Sequence, residues 1–377
     1  MGWPIIAGET VQPESGLSWK PWMLLFACLT GACIAWAVWS WPHGKSIDIR
    51  FWLRAVVTPL LLGCVLLGLR INRYEQSVAA SVASQEATEK TRLEWQKWAQ
   101  RTLRVIACAT ISPEQKLAAA MTATPPTATA SPHKGRKFYG WPDDGKTDPL
   151  QWACEQLIRQ LSEVHPGWQT HVRSVHVQSD ATAEDIECAW QAAMVASGLS
   201  QSAARVVPFE MSDWHDMFEE LDPRPRLFVA VQTWPSSREP QNFSELATAL
   251  LVSGDDGKND CDAPAARIGR PMTISAETLD EDLAMLFEYA GTNTETITRV
   301  WLSGVSADLA GSMAVRISSG GDGPVASYDI DHYLGAAHIA QYWFGLIAAA
   351  ELGGKSTSEL FVGHTANALI LHLITGR

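Results

Sequence analysis

Residues 359–374 read ELFVGHTANALILHLI, two apolar bursts separated by Gly363-His364-Thr365. An imidazole at such a break could serve as a general base, because histidine titrates near neutral pH. A base needs a nucleophile to act on. Outside the apolar N-terminal segments there are four cysteines, Cys108, Cys154, Cys188 and Cys261, with no spacing that suggests a metal site or a disulfide framework. Only Cys154 and Cys188 fall on helical patterns, where a thiolate could be stabilised. The competing role for His364 is that of a turn residue between two strands. His171 and His176 share a strand pattern with no third ligand in view, and His215 stands between Asp213 and Asp216 on an acidic helix. The basic group His133, Lys134, Arg136 and Lys137 lies in a small-residue run, where solvated surface competes with phosphate binding. There is no nucleophile elbow, Walker loop or zinc signature. The expectation is no assigned catalytic residue, with His364, Cys154 and Cys188 as the candidates, and neither cofactor nor metal.

The elements around these residues alternate in type. DPLQWACEQLIRQLSEV opens with Asp148 and Pro149, which suit a helix start, and HVRSVHVQ alternates as a half-buried strand does. TAEDIECAWQAAMVASGL, capped at Thr182 and closed at Gly198, is a second helix. DWHDMFEEL is a short helix, RLFVAVQTW and LATALLVSG are apolar strands, and ETLDEDLAMLFEYA is amphipathic. RVWLSGVS and SMAVRISS read as two further strands. The last helix, DHYLGAAHIAQYWFGLIAAAEL, is apolar nearly all round and belongs at the centre of a layered α/β domain. A third membrane span over 333–350 is the rival; His332, His338, Gln341 and the lack of flanking bases oppose it.

Upstream, Pro21–Trp41 runs twenty-one residues without a charge, enough to cross about 30 Å of hydrocarbon. Trp19, Trp22, Trp39 and Trp41 stand where headgroups would be. A cleaved signal peptide is the alternative, but the stretch is long and a second follows over Phe51–Arg70, with Arg54 near one end and a kink expected at Pro59. The boundaries expected are a tail over 1–20, two transmembrane helices over 21–70, a helical stalk over 71–120, a linker over 121–147 and an α/β domain over 148–377. Flanking bases tie between the two sides, and the unpatterned cysteines favour a reducing compartment, so the body is placed in the cytoplasm at a bacterial inner membrane. The formal charge is −12. With five bases against three acids in residues 1–70, the remainder holds −14, which excludes nucleic acid as the main partner.

A strand, a small-residue helix containing LGAA, then two strands joined tightly through ELFVGHTANALILHLI resembles the end of a thiolase-like half-domain of the β-ketoacyl synthase superfamily; RLFVAVQTW and ATALLVSG look like strands of the other half. The resemblance covers about residues 148–377 and implies a layered α-β-α-β-α domain with a central helix between two mixed sheets. It also implies a cysteine at the start of a buried helix together with two bases. Just before Leu334-Gly335-Ala336-Ala337 stand His332 and Tyr333 instead, and Lys355 lies nine residues before His364, off the family's spacing. The chain therefore reads as a degenerate, membrane-anchored member of that class. In layout it is similar to accessory proteins of bacterial type VI secretion effectors. That implies a non-catalytic adaptor with a secreted effector as protein partner and a homodimer as a further association. A membrane-tethered acyl-transfer enzyme, its thiol supplied by Cys154 or Cys188, is the alternative.

Overall fold

A computed structural model describes residues 3–5, 18–42, 48–142, 144, 147–199, 205–220, 222–234, 241–254, 266–320, 325–353, 357–365 and 368–376. Two compact units are present: Ile5–Trp95, and Met1–Pro4 with Gln96–Arg377.

In the first unit lie α1 (Trp19–Ser40), the single turn α2 (Ile49–Trp52), a π-helical turn over Leu53–Val57, and all but the last four residues of α3 (Thr58–Ala99). Two helical runs, Trp19–Ser40 and Ile49–Ala99, are long and apolar enough to cross a membrane, and their apolar windows are only 6% and 17% buried. Exposure on that scale is the reverse of a core helix. Proline cannot donate to the carbonyl four residues back. Here the helix accommodates Pro59 one turn upstream, by widening into the π-turn, where Thr58 N donates to Leu53 O and Thr58 Oγ1 to the same carbonyl at 3.1 Å.

The expected helix over 71–120 ends at Ala99, and Thr102–Ile111 is strand β1, whose residues alternate strictly between half-buried and buried. The Ala- and Glu-rich run before it hid a change of period from 3.6 to 2 at Thr102. After β1 come α4 (Leu117–Thr122), α5 (Pro149–Val164), β2 (Ser174–Ser179), α6 (Ala183–Ala196), β3 (Arg205–Pro208), α7 (Met211–Glu220), β4 (Arg226–Gln232) and β5 (Leu246–Gly254). The second half follows with β6 (Arg267–Gly269), β7 (Met272–Ile274), α8 (Leu279–Ala290), β8 (Ile297–Ser303), α9 (Ala307–Ser319), β9 (Ala326–Asp329), α10 (Asp331–Leu334), α11 (Ile339–Leu352), β10 (Ser358–His364) and β11 (Leu369–Thr375).

The strand pairings repeat. β2 is parallel to β3 and β4, β4 antiparallel to β5, and β5 antiparallel to β1. Likewise β8 is parallel to β9 and β10, β10 antiparallel to β11, and β11 antiparallel to β6 and β7. Antiparallel pairing of Thr102–Arg104 in β1 with β6 joins the two half-sheets. One apolar cluster covers the face of the first half-sheet that holds α5 and α6; another fills the space in which α7 and α11 lie. α11 packs on β1, β4 and β5 of one half and on β8, β10 and β11 of the other. Such a helix can have no polar face, which is why its sequence is apolar all round. Gly345 permits the approach: a Cβ there would fall 2.1 Å from the Phe361 ring.

Three expectations are corrected here. SMAVRISS belongs to α9, capped by Ser306 and burying Leu309, Met313 and Ile317 at helical spacing; the β-branched residues of VRI masked that period. The final helix starts at Ile339, because Gly335 (φ +82) breaks the chain where a Cβ would meet Asn242 O at 2.2 Å. With Ala340 to Ala349, ten of its fourteen residues, buried, α11 is a core helix of the body. Of the expected linker 121–147, the part over 121–142 is a pinned strap: Ser131 N donates to His332 O, Gly135 N to Gln241 O, and Arg136 pairs with Glu114 at 2.5 Å. Its composition suggested slack, but this ion pair and the buried Phe138 hold it.

Candidate functional site

The N-terminal ends of α7 and α11 meet the C-terminal ends of β2 and β10 around a cavity of about 400 Å³. Helix N-termini present partial positive charge, so this is where the fold would favour an anion or a developing oxyanion. Met211 opens α7 and Ile339 opens α11, and both line the cavity. His338 stands immediately before α11, and His364 closes β10 opposite Leu369. Both imidazoles reach the cavity, with Thr365 beside His364.

His338 stacks on Phe243 with ring centroids 4.1 Å apart, and its Nδ1 lies 3.5 Å from Asp180 Oδ2, too long for a good hydrogen bond. Burial raises the Asp180 carboxyl, opposed by charge on His338. Two glutamines hold the helix start: His338 N donates to Gln341 Oε1 at 3.2 Å and Ala340 N to Gln232 Oε1 at 2.8 Å. Those two amides are therefore already spent. Gln178 on the β2 side is fixed by Trp343 Nε1 at 2.8 Å. His364 is exposed, and Gly304 lies against it: a Cβ on Gly304 would come within 2.6 Å of His364 Cβ. Asp331 holds that glycine, accepting from Gly304 N at 2.8 Å and Ser303 Oγ at 3.2 Å, and burial with help from Asp329 pushes its carboxyl up to about 6.

The thiols are elsewhere. Cys154 sits within the α5–α6 core, where burial, then Asp148 and Glu155, push it up to about 12. A thiol so perturbed is inert. Cys188 is exposed on α6. Cys108, on β1, donates to Glu351 Oε1 at 3.3 Å and is raised by burial and by that carboxylate. None of these three lines the cavity. Cys261 and Lys355 lie outside the described residues. His332 and Tyr333 fall on the four-residue α10 and not at the tip of the long buried helix. His171 closes a short 3-10 turn, and His215 bonds within its own helix to Met211 O. His176 lies between Ser174 Oγ (2.8 Å) and Asp213 Oδ2 (3.1 Å) and stacks on Phe228, tying β2 to α7. Among the described residues no group of three His, Cys, Asp or Glu could hold a metal.

His338 and its neighbour Asp180 went unnoticed as site residues in the sequence. The signal was the Gly335-Ala-Ala-His338 break before the apolar run, which a helix start placed at Asp331 conceals.

No protein-family model matches this chain, and no curated protein matches it significantly. Solved structures do. A histidine-to-asparagine variant of OleA from Xanthomonas campestris, with cerulenin, aligns with TM-score 0.50 at 12% identity over 74% of this chain and 98% of that one. A cysteine-to-serine variant of the same protein, with bound lauric acid and lauroyl-CoA, gives TM-score 0.48 at 13% identity over 73% and 99%. At such identity the likeness speaks for architecture alone: the chain has a mixed α/β, thiolase-like fold, with two helices apolar enough for membrane spans at its N-terminal end.

Proposed function

We propose that this protein is a membrane-anchored accessory protein whose thiolase-like body has no catalytic activity and serves to hold a protein partner. The observation that supports this reading most is the furnishing of the cavity at the helix tips: Met211 and Ile339 stand at the starts of α7 and α11, and no cysteine among the described residues reaches them. A base without a nucleophile cannot run covalent acyl transfer. In this reading residues 21–70 anchor the chain in a bacterial inner membrane, the body faces the cytoplasm, and the partner is a secreted effector of the type VI class, joined by a second copy of the chain.

One observation favours acyl transfer, the presence of His338 and His364 on the same cavity. The two readings separate by experiment. Full-length protein in detergent is incubated with lauroyl-CoA, and free CoA is measured against a Cys108/Cys154/Cys188/Cys261→Ser variant. The accessory reading expects no release above buffer from either protein. Release by the parent that the variant loses would replace it with the enzyme.

A further inference from the structure

We propose that Ser174 is a covalent acceptor that takes one short acyl group from an activated ester and keeps it. This goes beyond the accessory reading, which concerns the helix-tip cavity: Ser174 opens β2, and Gln178, which lines that cavity, lies four residues on, about 13 Å along the strand. Ser174 Oγ is 2.8 Å from His176 Nε2, and His176 Nδ1 is 3.1 Å from Asp213 Oδ2 in the first turn of α7. A carboxylate can only accept, so Nδ1 carries the proton and Nε2 is left to accept from the serine hydroxyl. Those are the relations of nucleophile, base and positioning residue. Asp213 is itself fixed, because Oδ2 also accepts from Glu210 N at 3.0 Å. His176 is 5% exposed and stacks on Phe228, whereas Ser174 is half-buried, so an electrophile reaches the serine before the imidazole. Tying β2 to α7 needs only the His176–Asp213 bond.

The surroundings suit the step. In the parallel ladders Ser174 stands opposite Arg226 of β4 and Arg205 of β3, so three side chains in register share one face. Arg226 is buried, its terminal nitrogen pairs with Glu220, and its Nε has no hydrogen-bond partner among the described residues. An oxyanion forming one strand spacing away would meet that charge. Burial holds the His176 imidazole below the ordinary histidine range; Asp213 on α7 opposes this and Arg226 and Arg173 reinforce it, so the ring is neutral at pH 7 and free to take a proton. In the step, Ser174 Oγ bonds to the acyl carbon as the bond from that carbon to the leaving oxygen breaks. The seryl proton passes to Nε2 and on to the leaving alkoxide, giving a serine ester and a free alcohol. Ser174 lines neither the helix-tip cavity nor cavities of about 270 and 830 Å³ elsewhere in the body, so the acyl group is short. Seated on Oγ, it lies across the approach to the buried Nε2 and keeps water from it. The ester therefore persists, and nothing turns over.

The test incubates full-length protein in detergent with para-nitrophenyl acetate and reads nitrophenolate release, intact mass and the acetylated peptide. One equivalent should be released in a burst, with one acetyl group on Ser174 and no steady release above buffer. Ser174→Ala should abolish the burst and the acetyl group. The burst rate should rise with pH through a midpoint below about 6.5, and His176→Gln should slow it about a hundredfold or more. Should His176→Gln fail to fold, Asp213→Asn, whose side-chain carbonyl can still accept from Glu210 N, should slow the burst and move its midpoint to lower pH, because the carboxylate that favours the imidazolium is gone. A purely structural aspartate would leave the midpoint in place. No acetyl group on Ser174, a burst indifferent to His176→Gln and Asp213→Asn, or continuous turnover would overturn the proposal. CoA release from lauroyl-CoA would remove the accessory reading and leave Ser174 standing. A Ser174 that stays unmodified would do the reverse.

Discussion

Tyr342 and His372 meet at the centre of the body, the phenol oxygen 2.6 Å from His372 Nε2, with both side chains buried. His372 Nδ1 donates to Gly269 O at 3.1 Å, so Nε2 is bare and accepts the Tyr342 hydroxyl. Burial holds this imidazole down at about 4 and raises the phenol, which keeps both groups neutral at pH 7. The pair welds α11, which carries Tyr342, to β11 and, through Gly269, to the β6 bridge between the half-sheets.

A pH signature follows. The folded-state pKa of His372 lies below the unfolded value of about 6.5, so its share of stability is complete above that pH and is lost as pH falls toward 4, by about 3 kcal/mol. Asp331 acts in the opposite sense. Its pKa is raised to about 6, so its share is complete below the unfolded value near 3.8 and is lost as pH rises through 6, by about 2 kcal/mol given its partial exposure. The two nearly cancel between pH 4 and 6.5. Relative to the parent, the stability read by urea unfolding of full-length protein in detergent should rise more steeply with pH in Asp331→Asn and less steeply, or fall, in a His372→Phe/Tyr342→Phe double variant. Parallel slopes in all three would contradict the assignments.

Gly304 offers a geometric test beside the cavity. Its φ of +69 is unfavourable to any side chain, and a Cβ there would come within 2.6 Å of His364 Cβ and 3.2 Å of Ala337 Cβ. Gly304→Ala should cost about 2–3 kcal/mol, from the left-handed backbone plus the displaced β10 end. A melting temperature unchanged from the parent would show that His364 does not sit where described.

Thiol chemistry should follow burial. In a Cys261→Ser background, iodoacetamide at pH 7 should label Cys188 of the body first, the half-buried Cys108, raised by burial and Glu351, far more slowly, and Cys154 only after unfolding. Peptide mapping after timed quenching reads this directly. Fast labelling of Cys154 in folded protein would reopen the enzyme reading.

Much of the architecture was written in local patterns. Asp148 and Thr182 cap the helices expected of them, RLFVAVQ and LATALLVSG are fully buried strands, and Ser358–His364 and Leu369–Thr375 form the expected antiparallel pair. Expectation failed where a period changed without punctuation, at Thr102, and where β-branched residues sat on a helix, at Val315 and Ile317. The cavity was harder to see. Its residues come from β2, α7, α11 and β10, which only the doubled topology brings together. His338 acquired meaning only once Gly335 had moved the helix start to Ile339.

The central claim is that nothing at the tips of α7 and α11 can take up an acyl group. Intact mass spectrometry of full-length protein after incubation with lauroyl-CoA tests it most directly. The expected spectrum is that of the untreated chain. A gain of one lauroyl group, mapped by proteolysis to a residue lining the His338–His364 cavity, would contradict it.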